Sequence, residues 1–370
     1  MPAMPAKRLT GTIRSGWANW QINDAKHQST TMQYTIRMAD RVMYYSNVTS
    51  PSEQFAEAMK YMTDIQSMRD SAPEESAEMI ANTLEDDMIL VIFGSNLIER
   101  AGLNLDHTKR LCQAIFRGEH YEMTERSGPY EQRLQGWLQD KHASGEGEKH
   151  QIRQRAEVVQ HALALRYIVD AIVTRDQPFS EDILKETHRI LITGVDHPKY
   201  DTPWQEYAGL YRNQVRQPGT GQMGAEVNAG STHFTASKMV PRAMKRIVDA
   251  LNDDIAAATE KGVLDPYPLA AKWCAEFVWY HPFLDGNGRL CRLLLNAILL
   301  KYAGIVVPIG EHDEERKEYL DIKRRYTTDC EGEGEFASMI MKRATLRLKT
   351  MRDRVRKGLD TKASERLLKP

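Results

Sequence analysis

Along most of the chain, apolar residues return every three or four positions, the period of an α-helix with one buried face. Phe55, Met59, Met62 and Ile65 form one such stripe, which reads as core packing despite its methionines. Ahead of it, Ser50-Pro51-Ser52-Glu53 reads as a capping box with proline at the first helical position. Pro73 punctuates the pattern, and a helix resumes over residues 79–93, apolar on all sides in its second half and so expected to be buried. Gly94 breaks that run, and Ser95 then caps a short helix that carries Glu99 one turn further on. Residues 139–150 (QDKHASGEGEKH) are charged and glycine-containing, a solvated loop or hinge. Val158, Leu165, Ile168 and Ile172 mark a helix from about Arg153 to Thr174. Ser180 caps the next one, with Phe179 and Leu184 as its hydrophobic staple. His188 within it has no partner four residues on, so it reads as structural.

From Gly209 the texture changes. Residues 213–217 and 231–234 read as two short strands joined by a long loop through Pro-Gly-Thr-Gly. Helical spacing returns with Leu269, Trp273, Phe277 and Val278, and Pro282 biases His281 out of the α region, so that helix should stop there. Leu290, Leu293, Leu294 and Ile298 mark a second apolar helix, ended by Gly304. Beyond Val306-Val307-Pro308 come a charged helix over residues 314–326, a turn at 331–334 and a last helix from near Phe336. Its basic end, with Arg352, Arg354, Arg356 and Lys357, reads as a solvated helix terminus. The pattern predicts an all-α fold with one small β-hairpin.

Composition narrows this little but excludes much. A chain of 370 residues buries a sizeable core in one to three domains. Its 50 basic and 51 acidic residues create no global field toward nucleic acid or membrane, so neither is an expected partner. Mean hydropathy is −0.54, and no apolar run approaches the length of a bilayer span. The opening MPAMPAKRLTGTIRSGW has no apolar core of a secretory signal. Cys112, Cys274, Cys291 and Cys330 are scattered without metal-ligand spacing, which suits a reduced cytoplasmic or nuclear setting.

The chemistry concentrates between the two apolar helices. Gly286-Asn287-Gly288 can turn its backbone N–H groups toward one point at a helix N-terminus, an anion site, and Arg289 and Arg292 follow it. His281 and Asp285 stand four residues apart in the same loop. A phosphate cradle, a carboxylate for a divalent cation and a proton acceptor make a phosphoryl-transfer set.

Residues 281–292 fill every specified position of His-Pro-Phe-x-(Asp/Glu)-Gly-Asn-Gly-Arg-x-x-Arg, and in this the chain resembles the Fic family. Eight fixed positions in nine residues make a chance match on the order of one in ten billion per starting point. Residues 95–99 are similar to the family's inhibitory helix, (Ser/Thr)-x-x-x-Glu-(Gly/Asn), whose glutamate pairs with the signature's second arginine, here Arg292. Arg100 departs from that pattern, and a long cation beside Glu99 is expected to compete for its carboxylate. Gly209-Leu210-Tyr211-Arg212 is similar to a Gly-x-Tyr-Arg that precedes a hairpin flap over the family's active site.

The resemblance implies a Fic-type helical fold around a central helix–loop–helix, and transfer of AMP from ATP to a protein hydroxyl. His281 would be the base and Asp285 the Mg²⁺ ligand. The amides of Gly286, Asn287 and Gly288 would bind phosphates, with Arg289 on the distal ones. Phe283 would anchor the loop, and Arg292 would bind either the γ-phosphate or Glu99. The implied partners are ATP and a target protein docking at the flap, with a homodimer among the assemblies considered. Expected divisions are a helical extension at 1–80, the Fic domain with its inhibitory helix at 81–345 and a basic tail at 346–370. Alternative readings are removal of AMP, transfer of phosphate or phosphocholine, or a helical protein-interaction module.

Overall fold

The computed structural model describes residues 35–39, 44, 50–118, 145–197, 199–200, 202–229, 232–329 and 333–367. The expected turn at 331–334, the start of the 139–150 segment and Cys330 lie wholly or partly outside them. Strand β1 (Thr35–Ile36) is followed by helix α1 (Pro51–Ser71), which buries Phe55, Met59, Met62 and Ile65 as their spacing requires. The capping box does not form. Ser50 stands at the N-cap without a side-chain bond, and its backbone carbonyl takes the Glu53 and Gln54 N–H groups instead.

Helix α2 runs unbroken from Pro73 to Ile98, so Gly94 does not end it and Ser95 caps nothing. The glycine serves close approach, because a Cβ there would press on the Ile309 carbonyl and the Gly310–Glu311 backbone. Helix α3 (Leu105–Phe116) is an element the hydrophobic pattern does not predict, although Asn104 caps it through the His107 N–H at 3.0 Å. Helix α4 (Gly145–Val169) begins earlier than expected and takes in residues assigned to a loop, then ends in a π-turn over Asp170–Thr174. Ser180 caps α5 (Glu181–Ile192) by accepting from the Ile183 N–H at 3.2 Å, as the sequence indicates.

The flap pairs differently from expectation. Arg216 bridges back to Met223 across a tight turn whose Gly219 and Gly221 both have positive φ. The hairpin proper joins β2 (Asn228–Ala229) to β3 (Thr232–His233), antiparallel. Positive-φ glycines close the turn locally, so among the described residues Arg216 meets Met223 and not the stretch 232–234.

Helix α6 (Val240–Lys261) leads to β4 (Val263–Leu264), which pairs in parallel with β1, a contact far apart in sequence that no local pattern signals. Asp265 then caps α7 (Pro266–Tyr280), and its carboxylate also accepts from Ala39 N–H and Tyr44 O–H, both at 2.7 Å. Helix α8 (Asn287–Ala303) is buried on nearly every face, as an apolar helix packed against α7 on one side and α4 on another must be. Helices α9 (Asp313–Asp329) and α10 (Glu333–Leu367) follow.

The basic C-terminal stretch is not simply solvated. α10 runs on to Leu367 and packs across α1, α2 and α7, burying Leu348, Met351 and Val355. Arg352 lies 4.3 Å from the Tyr61 ring centroid, and Arg347 pairs with buried Asp87 at 3.4 Å. Residues 80 and 345, the expected domain limits, fall inside continuous helices. One apolar core joins α1, α2, α4, α7, α8 and α10. Among the described residues, no helix is long and apolar enough to cross a membrane.

Candidate active site

α7 ends at Tyr280 because His281 turns left-handed, with φ 48° and ψ 61°. For a residue with a Cβ that conformation costs ~1–2 kcal/mol, so the surrounding loop has to hold it. Phe283 is fully buried and stacked on His188, their ring centroids 3.7 Å apart at 9°. His188 accepts the Gly209 N–H at Nδ1 (2.9 Å) and so carries its proton on Nε2, which reaches the Asp285 carbonyl at 3.0 Å. Burial lowers His188 to about 4, fixing that neutral tautomer. The histidine is structural, as its spacing suggests, and what it holds is the loop beside Asp285.

Asn287 braces the same loop from inside. Its side-chain amide takes the Phe283 N–H at 2.9 Å and donates to the Phe283 carbonyl at 2.8 Å. Gly286 has φ 74° and lies against Ile192 and His188, where a Cβ would crowd Ile192 at 3.0 Å. α8 therefore starts at Asn287 with its first N–H groups facing out of the loop, the geometry of an anion site.

Two arginines border that terminus, and both are almost wholly buried. Arg289 donates to Asp285 at 3.3 Å through Nη2, while its Nη1 finds no partner among the described residues. Arg292 donates to the Ser95 Oγ (2.8 Å), the Ser95 carbonyl (3.0 Å), the Glu99 carboxylate (2.7 Å) and the Tyr319 hydroxyl (3.4 Å). Burial disfavours the Arg292 cation, but Tyr319, Glu99 and Cys291 outweigh it and hold the guanidinium charged. Glu99 lies directly over Gly288, where any Cβ would overlap its Oε1. Its carboxylate thus occupies the mouth of the α8 N-terminus.

Glu99 is the C-cap of α2, not the start of a new helix, and Arg100 after it is left-handed with φ 55°. That conformation explains a preference for Gly or Asn at this place. The exposed Arg100 does not hold the Glu99 carboxylate, which turns to Arg292. Asn96, one turn earlier, accepts from His161 of α4 at 3.0 Å, which ties the end of α2 to the core.

The electrostatics separate two roles. Burial pushes the Asp285 carboxyl up, but Arg289, the Gly286 N–H and His197 outweigh it and hold it below the ordinary carboxylate range. His281 is lowered to about 4, by burial first and by Arg212 next, against the Val278 carbonyl, Asp285 and Glu99. At neutral pH the site therefore offers a charged carboxylate, two guanidinium groups and an uncharged imidazole able to accept a proton.

The structure brings His281, Asp285, Gly286, Asn287, Gly288, Arg289, Arg292 and Glu99 into one site, as the signature places them. Sequence reasoning missed Phe234, the flap residue whose ring stacks on His281 at 3.9 Å and 15°. It also missed Tyr319 beneath Arg292 and the full reach of Arg212. Gly-Leu-Tyr-Arg pointed to Arg212, but nothing in the spacing said that residues 212 and 281 meet.

A model of the Fic/DOC family matches residues 178–299. A Fido domain-containing protein of Dictyostelium discoideum is 34% identical over 102 residues, which make up 27% of this chain and 68% of that protein. A protein adenylyltransferase Fic of Nematostella vectensis is 30% identical over 161 residues, 43% of this chain and 31% of the relative. A fic-1 protein adenylyltransferase of Caenorhabditis elegans is 29% identical over 171 residues, 45% of this chain and 28% of the relative. The chain thus spans less than a third of the length of these adenylyltransferases. In fold it is similar to a Fic domain containing signaling protein from Bacteroides thetaiotaomicron. That structure aligns with a TM-score of 0.54 over 81% of this chain and 97% of its own, at 20% identity.

Proposed function

Because the chain belongs to the Fic/DOC family, we propose that it moves AMP from ATP to a hydroxyl side chain of a target protein. The observation that carries this reading is the α8 N-terminus: an anion site lined by Arg289 and Arg292, beside an imidazole held neutral. In this reading the target hydroxyl oxygen bonds to the α-phosphorus, the bond to the β-phosphate oxygen breaks, and pyrophosphate leaves. The hydroxyl proton passes to His281. The low basicity of His281 in the free protein suits this order, since an anionic triphosphate bound beside it draws the imidazole's affinity for a proton upward.

The backbone N–H groups of Asn287 and Gly288 stabilise phosphate charge without reorganising, while that of Gly286 serves the Asp285 carboxylate. Nη1 of Arg289, unpartnered among the described residues, is a donor available to a distal phosphate. Asp285 suits a Mg²⁺ ion because it is one ionised carboxylate at the edge of an anion site. Mg²⁺ commonly takes one or two carboxylates and completes its shell with phosphate oxygens and water. Among the described residues no group of three His, Cys, Asp or Glu side chains could hold a metal alone, so Asp285 would hold it together with the triphosphate. When bound, Mg²⁺ supplies charge neutralisation on the leaving pyrophosphate.

Glu99 acts as an inhibitor in this account. It holds Arg292 at 2.7 Å and covers Gly288, so it and the γ-phosphate compete for one guanidinium. The target would dock by adding an extended segment along the β2–β3 hairpin, whose backbone pairing is tolerant of sequence. The test is incubation with ATP followed by mass spectrometry of the modified protein. Addition of ~329 Da supports AMP transfer, and ~80 Da would replace it with phosphate transfer.

A further inference from the structure

We infer that Arg212 is the positioning residue of the site, orienting His281 by tying the flap to the end of α7. The inference rests on the reading of His281 as proton acceptor. Arg212 lies at the foot of the flap, and its side chain is completely buried although charged. On one side it serves the carbonyls left open where α7 ends. Its Nε donates to the His281 carbonyl at 2.6 Å, its Nη2 to the Tyr280 carbonyl at 3.3 Å, and its backbone N–H to the Pro282 carbonyl at 2.9 Å. These three carbonyls flank the left-handed turn that aims the imidazole.

On the other side Arg212 grips both ends of the hairpin. Nη1 donates to the Ala225 carbonyl and to the Glu226 carboxylate, each at 3.2 Å, just ahead of β2. Nη2 donates to the Thr235 carbonyl, just after β3. Five side-chain bonds use the five N–H groups of a guanidinium, a match that the three N–H groups of an ammonium cannot reproduce. Phe234, next to Thr235, lays its ring on the His281 imidazole. Any displacement of the hairpin is therefore felt at His281 twice, through the stacked ring and through the guanidinium that holds its carbonyl.

Charge adds a second handle. The charged groups that act on His281 are Arg212 from the flap, Asp285 from its own loop and Glu99 from α2. After burial, Arg212 is the largest influence disfavouring the imidazolium, and both carboxylates oppose it. A residue that merely stapled the flap would leave that balance alone.

The experiment compares wild type with Arg212→Gln, Arg212→Lys and Glu226→Gln in three measurements. These are the His281 imidazole titration by ¹H–¹⁵N NMR, ATP affinity, and the rate of AMP transfer at saturating ATP. With Arg212→Gln the titration midpoint should rise from about 4 toward the ordinary 6.5, while transfer falls tenfold or more and ATP affinity stays within twofold. With Arg212→Lys the midpoint should stay low but transfer should fall nearly as far, because charge survives and the fork does not. Glu226→Gln alters an exposed side chain and leaves the core intact, so it keeps the question open to test if the buried variants fail to fold. Glu226 is not among the charged groups acting on His281, so this variant should leave the midpoint near 4 while the loosened hold on Arg212 lowers transfer several-fold and ATP affinity stays within twofold. Wild-type transfer in Glu226→Gln, or an unchanged midpoint in a folded Arg212→Gln that also keeps wild-type transfer, would overturn the inference. So would a loss of ATP affinity equal to the loss of rate. If the wild type transfers no AMP, the functional reading alone fails, and the titration still decides Arg212's hold on His281.

Discussion

Removing the Glu99 carboxylate should raise ATP binding and AMP transfer together. The perturbation is Glu99→Ala, which deletes the group over Gly288 and keeps a backbone compatible with φ −85° and ψ 2°. Arg292 does not collapse with it, because Ser95 still accepts from Nε at 2.8 Å and from Nη2 at 3.0 Å. What is lost is one charge-assisted contact at 2.7 Å. Such contacts contribute ~1.5–3 kcal/mol. The Glu99 side chain is 39% exposed, so solvent screening argues for the lower end. A difference of ~1.5 kcal/mol released to the γ-phosphate is roughly tenfold in affinity or rate. Calorimetry with a non-hydrolysable ATP analogue and the initial rate of self-labelling measure the two quantities. Arg292→Ala, added to Glu99→Ala, should return both to or below the wild-type level. If Glu99→Ala leaves affinity and labelling unchanged, the competition for Arg292 does not exist and the carboxylate is only a helix end.

Three further outcomes follow from the same geometry. Asp285→Ala should abolish the response of transfer to Mg²⁺ along with most of the activity, and a full rate restored at modest Mg²⁺ would place the metal elsewhere. Asn287→Ala leaves the N–H and carbonyl of buried Phe283 without partners, so the protein should lose ~2–4 kcal/mol in urea unfolding. A loss below ~0.5 kcal/mol would show that the loop does not depend on this brace. His188 is lowered to about 4 when folded and returns to about 6.5 when unfolded, so the unfolded chain takes up the proton first as pH falls. Stability should therefore be full above pH 6.5 and decline between 6.5 and 4, with His188 contributing about 2 kcal/mol of the loss at pH 5. His188→Gln should flatten that decline, and an equal slope in the variant would contradict it.

The helical stripes and the signature were legible because both are local. Val158, Leu165, Ile168 and Ile172 share one buried face, and residues 281–292 carry their chemistry in a single loop. What sequence reasoning misread were glycines and caps whose meaning depends on distant chain. Gly94 looks like a break and is a contact with Ile309, while Ser95 looks like a cap and is a ligand of Arg292. The flap register went wrong because two positive-φ glycines turn the chain back before the expected partner is reached. Phe234 on His281, Arg212 on three α7-end carbonyls and β1 beside β4 all join segments far apart in sequence. No period or spacing could have announced them.

The central claim is that His281 accepts the proton from a hydroxyl attacking the α-phosphorus of ATP bound at the α8 N-terminus. It is tested most directly in the Glu99→Ala background, where the site is open, by comparing ATP labelled at the α-phosphate with ATP labelled at the γ-phosphate. The account predicts that only the α-label becomes protein-bound. It also predicts that His281→Ala cuts the labelling rate on the order of a hundredfold or more while ATP affinity stays within a few-fold. Protein-bound γ-label, or α-labelling that survives His281→Ala at an undiminished rate, would contradict it.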